Sequence, residues 1–281
     1  MKVLVTGYNG QLGYDVIREL KSRSVECKGV DMADFDITDQ KATVDYICAY
    51  SPDIVVHCAA YTAVDRAEDD TETCRRVNVD GTENIAVACE KCKAKMLYVS
   101  TDYVYGGAGN TPFEPFDETN PKNVYGKTKL DGEQAVKAHI DEYYIVRTSW
   151  VFGINGNNFV KTMLRLGKER DELTVVDDQI GSPTYTPDLA RLICDMIETD
   201  KYGIYHGTNE GFCSWAEFAA EIMRLGGRKA IIRPVDSSMY PIKAERPHNS
   251  RLSKICLDDA GFDRLPDWHD ALDRFLKELG D

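Results

Sequence analysis

Along the first half of the chain, short apolar runs alternate with stretches of helical spacing. Val3–Thr6 is an apolar run read as a strand, and Leu12, Val16, Ile17 and Leu20 recur at the spacing of one helix face. Val25–Val30 reads as a second strand, Ala42–Tyr50 as a helix, and Asp53–Ala60 as a strand buried on both faces. The pattern continues with a helix over Thr73–Cys89, a strand over Lys95–Ser100, a helix over Asn123–Ala138 and a strand over Tyr143–Arg147. Strands alternating with helices of this length predict βαβ units, a parallel sheet and right-handed crossovers.

After about Val151 the rhythm loosens. Helices are predicted over Asn157–Glu169 and Pro187–Thr199, with a short strand at Gly203–Gly207. Ser214 and Glu217 have the spacing of a capping box ahead of a helix over Trp215–Leu225. Ile231–Val235 is strand-like, and Met239–Ser253 is an irregular stretch holding Pro241 and Pro247. The expected fold class is α/β, a doubly wound parallel sheet with a smaller C-terminal α/β lobe and a cleft between them.

Composition narrows the class without naming a chemistry. With 281 residues, 43% hydrophobic and 29% charged, the chain has the balance of a globular protein. The net charge of −13 is spread along the chain, which argues against nucleic-acid partners and against anionic membranes. No apolar run has membrane-spanning length, and Met1–Thr6 leads into a glycine loop instead of a signal peptide, so a cytoplasmic protein is expected. Nine cysteines, some inside apolar runs (Cys58, Cys194), fit free thiols in a reducing compartment. Cys89 and Cys92 form a lone Cys-x-x-Cys on a predicted helix, read as structural, and no metal site is expected.

Two motifs carry chemistry. Gly7, Gly10 and Gly13 give G-x-x-G-x-x-G between a predicted strand and helix, a turn that lets the backbone approach a pyrophosphate at a helix N-terminus. This marks a dinucleotide site of Rossmann type. Asp31 ends the second strand at the spacing of an acid that binds the adenosine ribose, and no Arg follows it, which favours NADH over NADPH. Tyr125 and Lys129 stand four residues apart on one helix face, and a cation beside a phenol lowers its pKa. Tyr125 could then protonate the alkoxide formed as hydride reaches a ketone. The preceding strand ends in Ser100-Thr101-Asp102-Tyr103, where Thr101 could donate to the same oxygen.

These residues resemble the extended short-chain dehydrogenase/reductase family. The glycine loop, Cys58–Asp65, Ser100–Tyr105 and Tyr125–Lys129 carry the resemblance. Asn123–Gly126, Arg147–Val151, Gly156–Met163, Asp178–Thr184 and Arg246–Ser250 narrow it to the dTDP-4-dehydrorhamnose reductases. One departure is Tyr105-Gly106-Gly107, where many relatives have Phe-Asp-Gly. The resemblance implies a catalytic triad of Thr101, Tyr125 and Lys129, with Lys129 also holding the nicotinamide ribose. Gly10, Gln11, Leu12, Asp31, Ala60, Tyr61 and Thr62 would line the cofactor, NADH or NADPH, with Asp36 and Ile37 near the adenine. Thr101, Asp102 and Trp150 would contact the sugar of a nucleotide-sugar substrate.

A division into residues 1–152, a dinucleotide-binding domain carrying the triad, and 153–281, mainly a substrate lobe, is expected, with some lobe segments returning to the first domain. Arg246 could bind the diphosphate, because a guanidinium suits phosphate oxygens in an otherwise acidic chain. His57 reads as a core histidine, and Asp177 and Asp178 as a solvated turn. Two readings stay open beside the reductase: another nucleotide-sugar epimerase or reductase, and a non-catalytic subunit resembling the regulatory subunit of methionine adenosyltransferase. A homodimer is open as well.

Overall fold

The computed structural model describes residues 1–240 and 243–280; Pro241 lies outside them. Five strands in the first half are β1 (Lys2–Thr6), β2 (Glu26–Val30), β3 (Ile54–His57), β4 (Lys95–Thr101) and β5 (Tyr143–Thr148). Six helices go with them: α1 (Gln11–Ser22), α2 (Gln40–Tyr50), α3 (Val64–Asp69), α4 (Thr71–Arg75), α5 (Gly81–Cys92) and α6 (Val124–His139). Neighbouring strands of the sheet pair in parallel, and the strand order reverses between β1 and β3. In an open α/β sheet that reversal point is where a crevice opens beyond the strand C-termini.

Alternate residues of the strands serve opposite faces, as the pleat requires. Val3 and Val5 join Ile54, Val56 and Leu97 in one core, while Leu4, Val55 and Met96 join α2, α5 and α6 in another. Both faces are therefore buried, which explains why these strands read as unbroken apolar runs.

The second half contains β6 (Val151–Phe152), α7 (Phe159–Glu169), β7 (Glu172–Val176), β8 (Ile180–Gly181), β9 (Thr184–Tyr185) and α8 (Thr186–Ile197). It continues with β10 (Gly203–His206), β11 (Cys213–Ser214), α9 (Trp215–Leu225), β12 (Ile231–Val235), α10 (Ile255–Ala260) and α11 (Trp268–Leu279). β10 pairs in parallel with β5 and completes the six-stranded sheet. α8 covers the face already covered by α1, with Leu189, Leu192 and Ile193 in the same core as Val16 and Leu20. The remaining strands make three two-stranded pairs around a separate core of Phe152, Phe218, Trp268 and Phe275.

Three expectations need correction. The strand expected over Asp53–Ala60 ends at His57. Beyond it the chain turns away because Ala59 lies against Gly7, where a Cβ would stand 2.7 Å from the Ala59 nitrogen. The helix expected over Thr73–Cys89 is two helices, α4 and α5, joined by a π turn over Arg76–Asp80. π turns of this kind cluster at functional sites. Helix α3 and the short α4 precede this turn where no helix was expected before Thr73.

Candidate active site

A cleft of about 1020 Å³ opens at the sheet's reversal point and runs to the second-half aromatic core. Its first end is made largely of backbone. Gly7 takes φ +67°, and a Cβ on Gly13 would lie 2.4 Å from the Gly7 carbonyl oxygen. Helix α1 starts at Gln11 with Gly10 as its N-cap and no side-chain cap, so its first N–H groups are free for an anion. Asn155 donates to the Asn9 carbonyl at 2.6 Å, and Asn158 to the Gln11 side chain at 3.0 Å, so the second half of the chain borders this end.

The expected cofactor residues gather here. Gly7, Gly10, Gln11, Leu12, Gly13, Asp31, Asp36, Ile37, Ala60, Tyr61 and Thr62 all line the cleft. Asp31 accepts from the backbone N–H of Asn9 at 3.2 Å and of Met32 at 2.8 Å, so its carboxylate also braces the glycine loop. Ile37 packs onto Gly81, where a Cβ would meet it at 2.8 Å.

Asn78 was not singled out from the sequence. The π turn points it inward, where its oxygen accepts from the Tyr61 N–H at 2.8 Å. Its amide donates to the Tyr61 carbonyl at 3.2 Å and to the Thr128 hydroxyl at 3.1 Å. It thus ties Ala60–Thr62 to α6. Arg76, Thr148, Phe159 and Trp215 are further lining residues that sequence reasoning missed.

The other end is built from side chains. Asn123 caps α6 by accepting from the Gly126 N–H at 2.8 Å. A Cβ on Gly126 would lie 2.2 Å from the Tyr103 carbonyl oxygen, so glycine lets the helix sit against the end of β4. Tyr125, Lys129, Thr101 and Asp102 all line the cleft. Thr101 donates to the Asp102 Oδ1 at 3.0 Å and accepts from the Tyr103 N–H at 3.2 Å. Burial, aided by the charge of Asp102, pushes the Tyr125 phenol up, with the Thr101 hydroxyl opposing. The net lowering expected from Lys129 is not found, since burial dominates at Tyr125, and the Lys129 Nζ lies 4.0 Å above the Tyr98 ring centre. Burial pulls Lys129 down to about 7, against the charge of Glu133. Burial likewise raises Asp102 to about 6, with the Ser250 and Thr101 hydroxyls opposing.

Among the described residues six buried side-chain polar atoms have no protein partner, and three of them, Tyr61 Oη, Asp102 Oδ2 and Thr148 Oγ1, belong to residues that line this cleft. Unpaired buried polar groups are rare, and half of those here belong to residues around this one cavity. The dinucleotide fits the donor set, with a glycine turn and free helix N–H groups at one end and Tyr125 and Lys129 at the other.

Trp150 adopts a left-handed backbone at φ +49°, and its indole stacks on Trp215 at 3.6 Å between centroids. Gly181 leaves room for that indole, since a Cβ there would lie 2.8 Å from it. Arg246 is not among the lining residues; it donates to Asp65 at 2.7 Å and interacts with the Tyr103 side chain. His57 is a satisfied core histidine, with Nδ1 2.7 Å from the Thr6 hydroxyl and Nε2 3.1 Å from that of Thr82. Asp178 accepts from the Ser237 hydroxyl at 2.7 Å. No helix among the described residues is long and apolar enough to cross a membrane.

Comparison with known proteins places this geometry. The family model described as the RmlD substrate binding domain matches residues 1–280. A solved dTDP-4-dehydrorhamnose reductase from Clostridium acetobutylicum is 43% identical, with TM-score 0.98 and 100% of each chain covered. The chain belongs to this reductase family. The Bacillus anthracis reductase, solved in complex with NADP, is 43% identical with TM-score 0.96, covering 99% of this chain and 100% of that one. The Bacillus subtilis spore coat polysaccharide biosynthesis protein SpsK is 41% identical over 277 residues, 99% of this chain and 97% of its own. Members of the family thus share the whole length of this chain, sheet and second half together.

Proposed function

We propose that this chain reduces the C4 ketone of dTDP-4-dehydro-6-deoxy-L-mannose to dTDP-L-rhamnose, with NADH or NADPH as reductant. The observation that carries this reading is the meeting of Tyr125, Lys129, Thr101 and Asp102 at the mouth of a cleft whose far end is the glycine turn. The nicotinamide, when bound, supplies the hydride. Tyr125 gives its phenolic proton to the oxygen at C4 as negative charge develops there. Its high pKa keeps that proton in place until the alkoxide, a much stronger base, forms. Thr101 donates a hydrogen bond to the same oxygen, and Lys129 holds the nicotinamide ribose. Asp102, with its free Oδ2, and Trp150 take the sugar, and Arg246 exchanges Asp65 for the diphosphate.

For the cofactor we propose that both forms are accepted, with NADH favoured by the acid at Asp31. The expected division at residue 152 puts the triad in the first domain and the diphosphate contact in the second. We place the protein in the cytoplasm, where its free thiols stay reduced. A dehydratase of this fold would carry an acid after Asp102, and Tyr103 stands there instead. The intact Tyr125 and Lys129 pair speaks against the regulatory-subunit reading. The test is oxidation of NADH and NADPH by wild type and Tyr125→Phe with enzymatically generated dTDP-4-dehydrorhamnose. Turnover lost in the variant is expected; no turnover by folded wild type overturns the proposal.

A further inference from the structure

Behind the catalytic corner lies a buried ionic network that this chemistry does not use. Helix α6 presents Tyr125, Lys129 and Glu133 at four-residue steps, one stripe of the helix. Glu133 is fully buried and Arg147 is 2% exposed. Arg147 grips both carboxylate oxygens, through Nε at 2.8 Å and a terminal nitrogen at 2.6 Å. The Ser100 hydroxyl donates to the same carboxylate at 2.6 Å. The other terminal nitrogen of Arg147 donates to the Tyr105 hydroxyl at 2.6 Å and the Pro115 carbonyl at 2.8 Å, and Tyr105 reaches His206 at 2.7 Å.

A buried ion pair is weak as a source of stability, because desolvating both charges offsets their attraction. Its location is more telling. Ser100 precedes Thr101 on β4, Arg147 precedes Thr148 on β5, and Glu133 follows Lys129 by one turn of α6. One carboxylate thus joins three elements, each beside a residue that lines the cleft. We propose that Glu133 is a positioning residue: clamped by Arg147, it sustains the charge of Lys129 and fixes Thr101 and Thr148 relative to it. This rests on the reading of Lys129 as a catalytic group.

The groups facing Lys129 support the assignment. They are Glu133 on its own helix, Cys58 beyond β3, Cys74 on α4, Tyr98 on β4 and His57 on β3. Burial raises the Cys58 thiol to about 12 and raises Cys74 and Tyr98 too, so these three stay neutral near pH 7. Burial, with Lys129, holds His57 down at about 3, so it is neutral as well. Glu133, paired at two points with Arg147, is the carboxylate among them and favours the charged form of Lys129 against burial.

The experiment is the pH dependence of kcat for wild type, Lys129→Met, Glu133→Gln and Glu133→Asp, with NADH binding read by nicotinamide fluorescence. In Glu133→Gln the alkaline limb of kcat is expected to move down by about one pH unit, a roughly tenfold loss at a fixed pH on that limb. NADH should weaken along the same shifted limb, and Glu133→Asp, which keeps the charge but withdraws it on a shorter arm, should give a smaller shift in the same direction. An inactive Lys129→Met beside a Glu133→Gln profile equal to wild type overturns this inference and leaves the catalytic reading standing. An active Lys129→Met overturns both. If Glu133→Gln does not fold, Glu133→Asp decides: a smaller shift in the same direction supports the role, and a wild-type profile refutes it.

Discussion

The two ends of the cleft solve opposite problems with opposite materials. The glycine end is built of backbone: a turn too tight for a Cβ and a helix start with no side-chain cap among the described residues. The catalytic end uses ionisable side chains taken out of water, where Lys129 is pulled down to about 7 and Asp102 up to about 6. Shape governs the first end, so its failures should be steric and nearly independent of pH. Desolvation governs the second, so its failures should depend on pH.

Tyr125→Phe is the sharpest probe of that difference. Loss of a positioned proton donor should lower kcat by roughly 10²–10⁴-fold while NADH binding stays near wild type. Next, Arg147→Met would strand the Glu133 charge in the core, and denaturant unfolding should show a loss of about 3–5 kcal/mol.

Asp102→Asn tests desolvation through its sign. The folded-state pKa of about 6 exceeds the ordinary 3.8, so Asp102 costs nothing below pH 3.8 and destabilises increasingly up to pH 6. Relative to wild type, the variant should gain stability across that window by roughly 3 kcal/mol and stay level above it. A flat difference between acid and neutral pH would mean that this carboxyl is well solvated. The smallest effect is expected at the glycine end: Gly13→Ala should destabilise by about 1–3 kcal/mol. Its NADH affinity should drop equally at every pH measured. A pH-dependent loss there would erase the contrast between the two ends.

The same contrast explains what could be read from the sequence. The glycine turn was legible because its chemistry lies in residue type and spacing, and the sheet because strands buried on both faces leave unbroken apolar runs. The Tyr125 and Lys129 pair was legible as a spacing, but its protonation was not. The sign of a pKa shift depends on burial, which no spacing shows, and at Lys129 burial outweighs the charge of Glu133 one turn away. Asn78 is not legible because its partners Tyr61 and Thr128 are distant in the chain, nor is Trp215, whose role exists only through its stack on Trp150. Arg246 stands out by residue type, by the acidity around it and by its family-like segment, none of which reveals a partner, and the structure gives it Asp65 outside the cleft lining.

The return of the chain to the sheet bears on how the molecule could be cut. β10 flanks β5, and α8 lies over the core beside α1, although both follow the expected boundary at residue 152. A fragment ending there would bare the whole hydrogen-bonding margin of β5 and the apolar surface beneath α8. Naked margins of that kind recruit other strands, so such a fragment should aggregate. Splitting this protein into working halves would instead require circular permutation or an internal deletion that keeps both returning segments.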